Sequence, residues 1–138
     1  VGIFCHYEDE YTQLIQIRKS LTYPSDNPNQ KYFILRKSIT IQPKDDVPKT
    51  KYTHLYIRRP NPDSPQVGDI DFYLPTKEFN TLKNTIQYDA MIEGARIFER
   101  TDLDMVELYD SDIDALAYIS TKKMTERVRV KQSDATNL

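Results

Sequence analysis

The chain has 138 residues, 19 of them basic and 21 acidic, for a net charge of -2, with three glycines and a single cysteine. That excludes glycine-clustered phosphate loops, an internal disulfide and a multi-cysteine zinc centre, and no apolar run nears the roughly 20 residues of a bilayer span. The expectation is one soluble, cytoplasmic α+β domain over 1–138, its tail polar from about 131.

Residues 11–23 and 31–42 alternate. In the first, Tyr11, Ile15, Ile17, Leu21 and Tyr23 share a parity; in the second, Phe33, Leu35, Ile39 and Ile41 do. Period-2 alternation predicts strands, and the turn-rich 25–30 between them predicts a long β-hairpin. The competing reading, a helix over 8–20 favoured by its acidic start, is set below the hairpin. Strands are predicted at 51–58 and 69–74. Pairing Ile57 with Ile70 and Leu55 with Phe72 puts their apolar rows on one face and sets Arg58 opposite Asp69. Phe79, Leu82, Ile86 and Ala90 recur at helical spacing, which predicts a principal helix at about 77–92 with Gly94 as its stop. A second hairpin, 96–100 with 104–109, and a short helix at about 112–119 follow. The expected architecture is an antiparallel, meandering sheet of about six strands with one principal helix on one face. One such helix cannot cover six strands, so part of the sheet is expected to bind something.

Charge is uneven along the chain. Residues 11–60 hold ten basic and three acidic side chains, whereas 61–115 hold four basic and thirteen acidic. Either the basic half binds an anion or basic and acidic strands neutralise each other.

Three groups of residues could carry function. On the predicted register, Tyr52, His54, Tyr56, Asp71 and Tyr73 share the face opposite the Leu55/Ile57/Phe72 row. Tyrosine rings with directional His and Asp groups suit a ligand or partner surface. This is the leading expectation: a non-enzymatic binding or assembly domain, self-associating or meeting a protein partner, with no cofactor and no membrane. The second group joins His54 to Glu107. The order strand, helix, strand, strand, with a His early and a Glu late, resembles one module of the vicinal-oxygen-chelate (glyoxalase-like) fold over about 52–110. The resemblance implies a metal-dependent enzyme with a divalent metal on His54 and Glu107. The proline-rich connection and the extra strand before the helix depart from that pattern. In the third group, Arg18, Arg36, Tyr32 and Ile34 on the outer face of the first hairpin could bind single-stranded nucleic acid.

Overall fold

The computed structural model describes residues 1–88, 92–99 and 104–123. Among these residues two helices accompany one mixed seven-stranded sheet, which corrects the expected antiparallel sheet of about six. In chain order the elements are β1 (Gly2–Phe4), α1 (Glu8–Leu21), β2 (Tyr32–Ile41), β3 (Thr50–Arg58), β4 (Gly68–Leu74), α2 (Thr76–Tyr88), β5 (Ala95–Glu99), β6 (Asp104–Leu108) and β7 (Ala115–Thr121). The strands lie side by side as β2-β3-β1-β4-β7-β6-β5. Two units share one plan. In β1-α1-β2-β3 and in β4-α2-β5-β6-β7 the first strand runs parallel to the last, and the units meet through antiparallel β1 and β4.

The first expected strand is instead α1. Glu8, Asp9 and Glu10 fill its first turn and Arg18 and Lys19 its last, so both ends oppose the helix dipole favourably. Tyr11, Leu14, Ile15 and Arg18 form its half-buried stripe at helical spacing. The alternating reading passed over Leu14 and relied on Ile17 and Leu21, which are 52% and 48% exposed. The short helix expected at 112–119 is likewise a strand, β7. It lies between β4 and β6 with neighbours on both edges, so its apolar run carries no clean alternation. The principal helix is found as α2, pinned by buried Phe79 and by a 2.8 Å ion pair from Lys83 to Asp104 of β6. The expected frayed tail lies outside the described residues.

A further correction concerns register. β3 and β4 do not pair; the three residues of β1 lie between them, too few to show as a strand in the sequence. Gly2 is in register with both Tyr56 and Asp69, and Ile3 with Ile57 and Gly68. Gly68 permits this close approach, since a Cβ there would run into the Gly2 carbonyl oxygen. Arg58 therefore aligns with Phe4, and its guanidinium lies 3.7 Å over that ring rather than opposite Asp69. Leu55 and Ile57 are buried and share a face with Phe33. Arg18 of α1 stacks on Phe33 at 3.5 Å, so α1 packs on that side of the sheet.

Candidate functional site

The opposite side of the sheet carries the tyrosines and acids. Tyr52, His54, Asp71 and Tyr73 line a cavity of about 270 Å³ where β3 and β4 face each other beyond Val1. Tyr56, the fifth residue of the predicted group, packs on Tyr32 with ring centroids 5.1 Å apart. His54 Nδ1 contacts Thr53 Oγ1 at 2.9 Å, and His54, Asp71 and Tyr73 all interact within the protein.

Further along this face Asp69 is largely buried beside Gly2. Burial foremost, then the neighbouring Asp71 charge, raises its carboxyl to about 6, against the pull of Val1, Arg58 and the Gly2 N–H. Tyr118 is held well above the usual phenol value by burial, then by its hydrogen bond to Glu107.

His54 and Glu107 lie on β3 and β6, four strand intervals apart. At ~4.8 Å per interval they stand well beyond shared metal coordination. Glu107 is buried and engaged by Arg96, whose Nε donates to Oε1 at 2.6 Å, and by Tyr118. The two side chains do not fit one metal ion. Among the described residues no three His, Cys, Asp or Glu side chains gather as a metal site.

A different site emerges on the helix side. Thr22 bridges to Leu35, and the Tyr23 N–H donates to the Ile34 carbonyl at 2.9 Å, which ties the end of α1 to β2. The intervening loop is fixed by Asn27. Its Oδ1 accepts from the Asn29 N–H at 2.9 Å, its carbonyl accepts from the Gln30 N–H at 3.1 Å, and its own N–H donates to Ser25 Oγ at 3.2 Å. Between this loop, α1 and the ends of β2 and β3 lie two adjoining lobes of about 420 and 550 Å³. Both are lined by Tyr11, Ile15, Arg18 and Phe33. Lys31 and Arg59 complete the first lobe; Lys19, Arg36, Tyr23 and Asn27 complete the second. Among the described residues no carboxylate lines either lobe.

The polar groups of this cleft are under-satisfied. Among the described residues five buried side-chain nitrogen or oxygen atoms have no hydrogen-bond partner. Two of them, Arg18 Nε and Asn27 Nδ2, are donors of the helix-side cleft, whereas Arg58 Nε and Nη2 belong to a guanidinium stacked over Phe4 on the Tyr56/Asp69 side of the sheet. Buried donors without acceptors are costly, and native folds keep few of them. Burial also pulls the Arg18 guanidinium below its ordinary value, against a smaller opposing effect of Tyr11.

The third predicted group is therefore divided. Arg18 and Arg36 meet in the cleft, whereas Tyr32 and Ile34 align with Tyr56 and His54 on the other face of the sheet. The sequence reading missed Lys31, Arg59 and Asn27 as members of one site. The available signal was the excess of seven positive charges in residues 11–60, which supplies every cation of the cleft. No protein-family model, curated protein or solved structure matches the chain.

Proposed function

We propose that this protein is a non-enzymatic binding domain that takes an anionic ligand into the cleft between α1, β2 and β3. This keeps the class of function expected from the sequence and moves its site from the Tyr/His face to the helix side of the sheet. The observation that carries it is the pair of buried donors without acceptors at Arg18 and Asn27, on walls that hold Arg18, Lys19, Lys31, Arg36 and Arg59 and, among the described residues, no acid. A fold that only needed Arg18 to cover Phe33 could pair its N–H groups with a nearby carboxylate. Here a ligand rich in negative acceptors supplies what the protein lacks. The Arg18–Phe33 stack and the Asn27-braced loop hold the walls before the ligand arrives, which lowers the ordering cost of binding.

The test is retention on a sulfated polysaccharide resin at low salt. The double substitution Lys31→Gln with Arg36→Gln lowers the salt needed for elution. A control, Lys44→Gln with Lys77→Gln, removes the same charge from residues that line neither lobe and elutes close to wild type. Equal weakening by the two doubles would mean that bulk charge, not the cleft, holds the anion.

A further inference from the structure

Resting on that cleft, we infer that its occupant is a short stretch of single-stranded nucleic acid, with phosphates in both lobes and bases against the aromatic walls. Three observations distinguish this ligand from a single phosphate or an acidic peptide.

The first is extent. The α1 residues that line the lobes run from Tyr11 to Lys19, which at a helical rise is about 12 Å. Cations are spread along that length, with Lys31 and Arg59 in one lobe and Lys19 and Arg36 in the other, while Arg18 lines both. A lone phosphate occupies one point of such a track; a backbone with regularly spaced charges follows it.

The second is the alternation of cations with rings. Tyr11 and Phe33 line both lobes and Tyr23 the second, where it is 50% exposed. The rings already accept planar cations, Arg18 on Phe33 at 3.5 Å and Arg36 over Tyr23 at 5.0 Å. The half-exposed Tyr23 ring offers area that a base can stack on, whatever the base, which an acidic peptide could not exploit. The third is Asn27 Nδ2, a neutral donor without a partner in a residue only 5% exposed. A neutral amide adds little to phosphate binding but suits the acceptor atoms on a base edge. A duplex is disfavoured because its base faces are stacked away from the rings.

Fluorescence anisotropy with labelled oligothymidylate and oligouridylate of increasing length tests the inference. Pyrophosphate, a mononucleotide and oligoglutamate serve as competitors. Affinity is expected to climb with strand length until the groove is filled. Contact with three phosphates gives log K against log salt a slope of about -2. Tyr23→Ala, at an exposed position that leaves the fold intact, weakens the oligonucleotide about fivefold or more and leaves pyrophosphate unchanged. Arg36→Gln weakens both. Competition by oligoglutamate as effective, charge for charge, as by nucleic acid would overturn the inference in favour of an acidic peptide. A mononucleotide binding as tightly as any strand would overturn it in favour of a small phosphorylated ligand. In either case the anion-binding cleft stands. If none of these anions binds at low salt, both readings fall together.

Discussion

Replacing Asp69 by Asn isolates one charge buried in the middle of the sheet. Asp69 sits against Gly2, and burial together with Asp71 raises its carboxyl from an ordinary 3.8 to about 6. Because the folded state holds this proton more tightly than the unfolded chain, the carboxyl stabilises the fold most when protonated, below about pH 4. That contribution is lost as the pH rises through 6. The difference of roughly two pKa units corresponds to about 3 kcal/mol at most, since each unit is about 1.4 kcal/mol. The fraction of the side chain still reached by water trims that figure. Asp69→Asn removes the ionisation while its amide oxygen can still accept the Gly2 N–H. Urea unfolding of both proteins at a series of pH values is the assay. The variant should be the more stable one at pH 7 to 8, by about 2–3 kcal/mol, with the gap closing toward pH 4. A gap that stays constant with pH, or a wild type that gains on the variant between pH 4 and 7, would refute the placement of a buried, proton-holding carboxyl beside Gly2.

Two further outcomes follow from the interior. Arg96→Met leaves the buried Glu107 carboxylate with Tyr118 but without its cation, and should lower stability by about 1–3 kcal/mol; Arg96→Lys, which keeps the charge, should recover part of that loss in the same chemical-denaturation measurement. Cys5 is fully buried, and burial, followed by the Glu10 charge, raises its thiol. A thiol reagent should therefore label it only as fast as the protein opens, and labelling as fast as a free thiol in the native protein would contradict its burial.

The parts of the fold legible in the sequence are those whose faces differ. β3 and β4 alternate because one side meets the buried Leu55/Ile57 row and the other the Tyr56/Asp69 row. α2 shows its stripe because Phe79, Leu82 and Ile86 meet the sheet while its other faces do not. Where that contrast weakens, the pattern misleads. β7 has neighbours on both edges and reads equally well as a helix. β1 is too short for any period to register, although it decides which strands lie side by side. α1 was the costliest misreading for the site. As an alternating strand it sent Arg18 to an outer face with Tyr32 and Ile34; as a helix it brings Tyr11, Ile15 and Arg18 over Phe33. The basic stretch announced an anion, but the cleft needed Asn27 and Arg59 just beyond β3. Asn27 had looked like an ordinary turn residue.

The narrow β1 seam has a kinetic consequence. Each half of the sheet closes its own parallel pair, and the halves are hydrogen-bonded through β1, where Gly2 and Ile3 are clasped between β3 and β4 and the Phe4 N–H donates to the Val67 carbonyl. The chain must therefore bring Gly2 and Ile3 to Tyr56 and Asp69 before the hydrogen-bonded ribbon becomes continuous. Closing so large a loop for so few bonds is entropically slow. The two halves can consolidate early and separately, leaving the clasp as the last step of assembly and the first place to open under strain.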